Sequence, residues 1–116
     1  MARQMTRLWS TELKFSLVDQ TKIVTAASEL ARNTVQHGGG GTFTLEVFEN
    51  GLKIGLRLIF EDQGPGIANL ELAMKGGYTT AGGMGLGLSG SKRLTNEFEI
   101  QTEPGKGTRV AVIRWK

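Results

Sequence analysis

The most informative segment of this chain reads Gly82-Gly83-Met84-Gly85-Leu86-Gly87-Leu88. Glycine permits positive φ angles and close approach of the backbone to a ligand, so such a run offers bare N–H groups in a concave array. The residues that follow, up to Leu94, have a helical pattern. The pattern predicts that these amides lie at a helix N-terminus, which favours an anion such as a phosphate. Alone, a glycine-rich loop is equally typical of a mobile linker, so its interpretation depends on the rest of the chain.

A second segment, Glu29-Leu30-Ala31-Arg32-Asn33, lies within a helical pattern. Glu29 and Asn33 are one turn apart and His37 follows one turn later, so the three side chains share one helix face. Asparagine is mildly unfavourable inside a helix, which favours a role for Asn33 other than helix stability. Its amide oxygen suits a hard cation such as Mg²⁺.

A third segment, Asp62-Gln63-Gly64-Pro65-Gly66, directly follows the apolar run of residues 56–60. This order predicts a carboxylate at the end of a strand, followed by two glycines that permit close backbone approach. The Asp62 carboxylate is therefore a candidate acceptor for a hydrogen bond from an exocyclic amine. The alternative is an ordinary turn residue, with Pro65-Gly66 completing the turn.

In this order the three segments resemble the GHKL, or Bergerat-type, ATPases, the superfamily of DNA gyrase, heat-shock chaperones, histidine kinases and the mismatch-repair protein MutL. Further segments, Gly77-Tyr78-Thr79-Thr80 and Lys92-Arg93-Leu94 with Glu97-Phe98, are more similar to the anti-sigma regulatory serine/threonine kinases. Within that group the stressosome switch kinase is the nearest type. The resemblance extends from about Arg3 onward.

The resemblance implies that Glu29 is the general base and that Asn33 is the Mg²⁺ ligand of an ATP site. Without it, Glu29 would be interpreted as a solvated helix charge. His37 is either a residue that interacts favourably with the helix dipole or part of the phosphate pocket.

The resemblance also implies that Asp62 binds the adenine amine, that Gly64 and Gly66 make room for the base, and that Thr108 supports the adenine site. As a bare sequence feature, Thr108 is simply a residue that favours β-structure. The remaining nucleotide-binding candidates are His37, Ile67, Thr79, Thr80, Gly83, Gly85, Leu86 and Gly87.

Size and composition restrict the class of protein. The 116 residues predict a single domain, residues 1–116. No signal-like start and no 20-residue apolar stretch are apparent, and the chain has no cysteine, so a soluble cytoplasmic protein is expected. The 14 basic and 11 acidic residues give a net charge of +3, scattered along the chain, which argues against nucleic-acid binding.

The periodicity predicts an α+β two-layer sandwich, a mostly antiparallel sheet covered on one face by helices, as in the Bergerat-type ATP-binding fold. Helices are expected over about residues 3–14 and 16–36, at 70–74 and after the glycine run. Four strands are expected, in two hairpins that turn at Asn50-Gly51 and at residues 104–107. The predicted buried stripes are Met5, Leu8, Trp9 and Leu13 in the first helix, Ile23, Ala27, Leu30 and Thr34 in the second, and Leu52, Ile54, Leu56, Leu58 and Phe60 in the second strand.

The resemblance implies an ATP-dependent protein serine/threonine kinase and partner-switching regulator that phosphorylates a STAS-type antagonist or scaffold protein. A sigma factor or a downstream phosphatase is a further partner, and no membrane partner is expected. Two alternatives are an ATP-gated anti-sigma or adaptor module without significant kinase activity, and a detached histidine-kinase catalytic domain. Relatives usually carry an additional N-terminal strand, which is either absent here or trimmed from the sequence.

Overall fold

The computed structural model describes residues 2–66 and 84–116, and for residues 36, 37, 84–87 and 89 it describes the backbone alone. Seven helices and strands lie in these ranges. In chain order they are α1 (Ala2–Glu12), α2 (Leu17–Gly38), β1 (Gly41–Asn50), β2 (Lys53–Asp62), α3 (Met84–Arg93), β3 (Glu97–Glu103) and β4 (Gly107–Trp115). The predicted helix at 70–74 falls outside them. No helix of the described part is long and apolar enough to span a membrane.

The four described strands form one antiparallel sheet in the order β1-β2-β4-β3. Both predicted hairpins are present, and Gly51 turns the first of them with a φ of 63°. Leu52 lies in that turn and is fully exposed, so its predicted place on the buried face was wrong. The buried face of β2 consists of Leu56, Leu58 and Phe60, because alternate residues of a strand point to the same side.

Helix α2 follows its sequence signals closely. Ser16 caps its N-terminus and accepts a hydrogen bond from the Asp19 amide at 3.1 Å. Its C-terminus is closed by Gly39, whose φ of 74° is the left-handed conformation that glycine adopts without strain. Ile23 and Leu30 of the predicted stripe are fully buried against the sheet. The helix therefore presents a fixed face to the sheet.

Helix α1 packs differently from the prediction. Its buried residues are Ala2, Thr6 and Ser10, whereas Met5 and Leu8 are 38% and 58% exposed. Small side chains let α1 approach α2 closely, and the Thr6 and Ser10 hydroxyls donate to carbonyls of their own helix, so they are buried without an unmet donor. The partly buried Trp9 and Leu13 do pack against the core, as predicted.

One face of the sheet is covered by the helices, which confirms the predicted two-layer α+β architecture. The core between the layers combines residues of α2, of the inner face of β2 and β4, and of α3. Its most completely buried members are Ile23, Leu30, Leu56, Leu58, Leu88 and Val112. Packing of α2 against β1, β2, β4 and α3 holds its C-terminal half above the end of the sheet.

Candidate nucleotide site

A row of four residues crosses the end of the sheet. Gly41 of β1 pairs with Asp62 of β2, Asp62 pairs with Thr108 of β4, and Thr108 pairs with Thr102 of β3. Paired residues of neighbouring strands point to the same side, and here that side is the helix-covered face of Leu58 and Phe60. The structure thus brings together Asp62 and Thr108, which lie far apart in the sequence. We call Asp62, Thr108 and Thr102 the polar row.

Asp62 is fixed by its own turn and by the end of α2. One carboxylate oxygen, Oδ1, accepts a hydrogen bond from the Gly64 amide at 2.9 Å. Any side chain at Gly38 would overlap the Asp62 carboxylate, so the absence of a Cβ there lets the end of α2 lie directly on it. The carboxylate therefore retains acceptor capacity on Oδ2, in a position defined by two elements.

The glycines that follow Asp62 contact protein backbone. Gly64 lies against the backbone of Gly38, and Gly66 lies against the Glu103 carbonyl. A hydrogen bond of 2.6 Å from the Gly105 amide to the Pro65 carbonyl ties this loop to the β3–β4 hairpin. Close packing between backbones is thus the role of these two glycines in the described structure, and their predicted role of giving space to a base stays a prediction.

The two threonine hydroxyls of the polar row are hydrogen-bonded to each other. Thr102 Oγ1 and Thr108 Oγ1 are 2.9 Å apart, and Thr102 Oγ1 also donates to the Gly107 carbonyl at 3.1 Å. The polar row lines a cavity of about 650 Å³, which is within the range of small-molecule sites. Glu61, Gln101 and Arg109, which point to the opposite face of the sheet, line it too, and no described residue of α2 does, so this cavity lies at the end of the sheet and not under α2. A cavity with convergent polar groups at the end of a sheet is a candidate ligand site.

Glu29 and Asn33 lie on α2 as predicted, one helical turn apart. The Glu29 side chain is 33% exposed, and both carboxylate oxygens accept from Arg32 Nη1 at 3.2 Å. Glu29 is thus accessible to a nucleophile that approaches from solvent, with a cation beside it.

Asn33 has a different environment from Glu29. Its Nδ2 atom is buried and finds no hydrogen-bond partner among residues 2–66 and 84–116. A buried amide without a partner costs free energy, which a bound ligand would recover. Because the amide oxygen and nitrogen exchange places on a flip of the side chain, either atom can face such a ligand. The donor set thus fits a nucleotide with its cation.

The glycine run is only partly within the described residues. Helix α3 begins at Met84, so Gly85, Leu86 and Gly87 belong to its first turn, whereas the prediction placed them in a loop that precedes it. The first four amides of a helix have no partner within the helix, so the predicted N–H donors at a helix N-terminus are present in this turn. Ile67, Thr79, Thr80 and Gly83 lie outside the described residues, and of His37 only the backbone, in α2, is described.

Sequence reasoning missed Thr102, Gly38 and Arg32. Thr102 could have been found by counting back from Thr108 across the predicted hairpin, since the register places them opposite each other. Arg32 lies three residues after Glu29, a spacing that predicts an ion pair on a helix. Gly38 had no such signal, because its role depends on the tertiary position of Asp62.

The chain is similar to known proteins over most of its length. Residues 18–116 match the family described as histidine kinase-, DNA gyrase B-, and HSP90-like ATPase. The chain is 46% identical over 114 residues to the serine/threonine-protein kinase RsbT of Bacillus subtilis (strain 168), covering 98% of this chain and 86% of that protein. It is 31% identical over 120 residues to the anti-sigma F factor of Thermoanaerobacter sp. (strain X514), with coverage of 98% and 82%.

A solved structure adds evidence on the fold alone. The histidine kinase domain from the Erythrobacter litoralis EL346 blue-light activated histidine kinase superposes with a TM-score of 0.59 at 23% identity. The match covers 84% of this chain and 44% of that one, so this chain spans less than half of its length. Because the family match extends over residues 18–116 of the 116, the chain belongs to the family of histidine kinase-, DNA gyrase B- and HSP90-like ATPases.

Proposed function

We propose that this protein is an ATP-dependent protein serine/threonine kinase that acts as a partner switch, with a STAS-type antagonist protein as its phosphate acceptor. The observation that carries the proposal is the 46% identity, over 98% of the chain, to a protein named as a serine/threonine kinase. The arrangement of the candidate residues also supports it, because such a reaction needs a base, a cation ligand and a nucleotide pocket. Sigma-factor control operates where transcription occurs, so the proposal includes a cytoplasmic location.

In the proposed reaction, the substrate hydroxyl attacks the γ-phosphorus of ATP, the bond to the β–γ bridging oxygen breaks, and ADP leaves. Positioning and charge neutralisation dominate such transfers. Glu29 accepts the hydroxyl proton, and its partial exposure lets a hydroxyl of another protein reach it. Arg32 holds the carboxylate from one side while its other lone pairs remain available.

The other residues of the site bind the nucleotide. Asp62 and Thr108 face the base from the end of the sheet, and the α3 amides at Met84–Gly87 face the phosphates. Asn33 provides the amide oxygen for Mg²⁺. Its buried Nδ2 atom has no hydrogen-bond partner in the described part, so no such bond of that atom opposes a flip of the side chain that turns the oxygen toward the cation. When bound, Mg²⁺ neutralises charge on the phosphates.

Phosphate transfer to a candidate acceptor tests the proposal. The purified protein is mixed with Mg²⁺, ATP labelled on the γ-phosphate and each STAS-domain protein encoded by the same genome. We expect label on a serine or threonine of one of them. Labelling of none, with the protein folded and ATP bound, would refute the kinase function.

A second candidate function is supported by relatives that are named as anti-sigma factors and not as kinases. Two of the matched proteins, at 31% and 30% identity, are anti-sigma F factors, one of Thermoanaerobacter and one of Clostridium kluyveri. Their name supports an ATP-gated binding module whose output is sequestration of a sigma factor. If a Glu29→Gln variant still releases and captures its partner normally in response to ATP, this module is the better description.

A further inference from the structure

A groove between α1 and α2 is lined by three arginines, and we call it the arginine groove. Arg3 and Arg7 lie one turn apart on α1, and Arg32 lies on α2. The groove has a volume of about 510 Å³, and no acidic residue of the described ranges, 2–66 and 84–116, lines it. A cleft lined by charges of one sign attracts ligands of the opposite charge. The groove is therefore a candidate site for an anionic partner.

The arginines of this groove have N–H donors that remain available. Arg3 and Arg7 are exposed, and neither forms an ion pair with a residue in the described part of the chain. Arg32 is 55% exposed and contacts Glu29 through Nη1 alone, so its Nη2 and Nε groups have no described partner. A guanidinium binds a carboxylate in a bidentate geometry, with both partners charged. The groove thus offers binding positions for several carboxylates.

The groove leads along α2 to Glu29, the proposed general base. Its lining residues on α2, at positions 21, 24, 25, 28 and 32, follow helical spacing, so they form one face of the helix. From Thr21 to Arg32 this face is roughly 16 Å long, since a helix rises about 1.5 Å per residue. At its end, Arg32 contacts both carboxylate oxygens of Glu29 at 3.2 Å. An extended segment of about five residues would therefore reach from Thr21 to the base.

The position of the groove beside Glu29 favours a polypeptide as its occupant. In the proposed reaction a hydroxyl of another protein reaches Glu29, so the residues that flank this hydroxyl pass Arg32. Three hydroxyl residues, Thr21, Thr25 and Ser28, also line the groove and suit a polar segment. No aromatic residue among the described lining residues offers a stacking surface for a nucleic-acid base.

We propose that the arginine groove is the docking site for an acidic segment of the phosphate-acceptor protein, which places a neighbouring hydroxyl at Glu29. The proposal rests on the proposed kinase function. Arg3 and Arg7 bind carboxylates of the segment, and Arg32 lies between Glu29 and the carboxylate nearest the hydroxyl. The two arginines of α1 act on capture of the acceptor, because Asn33, Asp62 and the α3 amides hold the nucleotide in the proposed site.

Phosphotransfer kinetics with Arg7→Gln test this proposal, with the STAS-domain protein that is labelled in the transfer experiment as the acceptor. Arg7 is altered and not Arg32, because Arg32 also contacts Glu29. We expect the KM for the acceptor to rise about tenfold, as for the loss of a charged hydrogen bond, with kcat and ATP affinity unchanged. The charge reversal Arg7→Glu should raise this KM further. The matched control is Lys53→Gln, which removes one exposed positive charge from β2.

A model anion gives a second, independent measurement. Fluorescently labelled decaglutamate should bind the wild type and Lys53→Gln equally, should bind Arg7→Gln more weakly, and should compete with the acceptor. Fluorescence anisotropy at low ionic strength measures this binding. Equal affinity of decaglutamate for the wild type and Arg7→Gln overturns the inference. Tighter, Arg7-dependent binding of an oligouridine of the same charge, or of phosphatidylserine vesicles, also overturns it, because the groove would then select a nucleic acid or a membrane.

The proposed function fails in a distinguishable way. If no STAS-domain protein is labelled by the wild type, the kinase function and this inference are refuted together. If an acceptor is labelled but its KM is the same for the wild type, Arg7→Gln and Arg7→Glu, the inference alone is refuted. A lower kcat or a lower ATP affinity in Arg7→Gln, with the acceptor KM unchanged, refutes it as well.

Discussion

At the scale of single residues, the proposed general base Glu29 lets catalysis be tested separately from nucleotide binding. A general base acts on the nucleophile during transfer and contributes little to holding the nucleotide, so Glu29→Gln should lower phosphotransfer by on the order of 10²–10⁴-fold with ATP affinity nearly unchanged. Its ion pair with Arg32 lies at the surface, with the Glu29 side chain 33% and the Arg32 side chain 55% exposed, so little stability should be lost. Rate, ATP affinity and partner capture are measured on one preparation.

The Glu29 prediction has two contrary outcomes. Loss of rate, affinity and partner capture together would indicate a structural role for this residue. Full retention of transfer would remove it from the mechanism.

Asn33 and Asp62 should affect different parts of the ligand. Asn33→Ala is expected to weaken Mg-ATP binding markedly, whereas Asp62→Asn should weaken ATP and ADP alike, because it alters the contact with the base. Because Asn33 Nδ2 is buried without a described partner, Asn33→Ala should not lower the melting temperature. An unchanged melting temperature would indicate that Asn33 serves function and not stability. Calorimetry measures the nucleotide affinities of the two variants, and thermal unfolding measures the melting temperature of Asn33→Ala. Unchanged affinity in both variants would mean that the nucleotide site is elsewhere.

Some residues of the candidate site could be predicted from the sequence, and others could not. The position of Asp62 at the end of a strand could be predicted because its motif is local, whereas Thr108 was a candidate only through the resemblance to the GHKL ATPases. Thr102 and Gly38 depend on register and on the packing of α2 against the sheet, which no local pattern encodes.

At the scale of elements, α1 shows how packing overrides an amphipathic pattern. The predicted stripe of large apolar residues is partly exposed, and the fully buried positions of α1 are Thr6 and Ser10 instead. Ser10→Leu should therefore lower the free energy of unfolding by about 1–3 kcal/mol through overpacking. By contrast, Leu8→Ser at a 58% exposed position should change it by less than about 0.5 kcal/mol. Urea unfolding measures the free energy of unfolding of the two variants. A larger loss in Leu8→Ser than in Ser10→Leu would mean that α1 is rotated about its axis, with Leu8 facing the core.

The start of α2 is tied to the sheet by an ion pair. Asp19 Oδ1 accepts from Arg114 Nη2 at 2.6 Å, and both side chains are largely buried. The hydrogen bond from Arg114, helped by Ser16, lowers the pKa of Asp19 below its ordinary value of 3.8. A carboxyl with a depressed folded-state pKa stabilises the protein above its unfolded pKa, and this stabilisation is lost as pH falls through the folded pKa.

The Asp19 contribution to stability is therefore expected to depend on pH. Asp19→Asn should lower the free energy of unfolding near neutral pH, and the gap from wild type should close as the pH falls below the ordinary carboxyl pKa. Thermal unfolding of both proteins over that pH range measures it. A gap independent of pH would show that the pair contributes through packing alone.

At the scale of the whole molecule, the two-layer architecture was predictable because the sequence signals agree with one another. The Ser16 cap, the Gly39 stop and the Asn50-Gly51 turn each appear where the sequence predicts a boundary. The stripe of apolar residues on α2 and the apolar residues at alternate positions of β2 then identify the two surfaces that meet in the core. The order β1-β2-β4-β3 is a consequence of two hairpins joined side by side, which hairpin signals alone do not determine.

Nucleotide binding should stabilise the entire fold, because the candidate site joins elements from both layers: α2 carries Asn33, and β2 and β4 carry Asp62 and Thr108. A ligand that binds only the folded state at a hundred times its dissociation constant adds about 2.7 kcal/mol to the free energy of unfolding. For a domain of this size that corresponds to a rise in melting temperature of roughly 10 °C or more. Asn33→Ala should lose the part of this rise that depends on Mg²⁺, and Asp62→Asn should reduce it with ATP and ADP alike. Scanning calorimetry with and without nucleotide measures the rise. A melting temperature that does not change with saturating Mg-ATP would show that Asn33, Asp62 and Thr108 do not form one site.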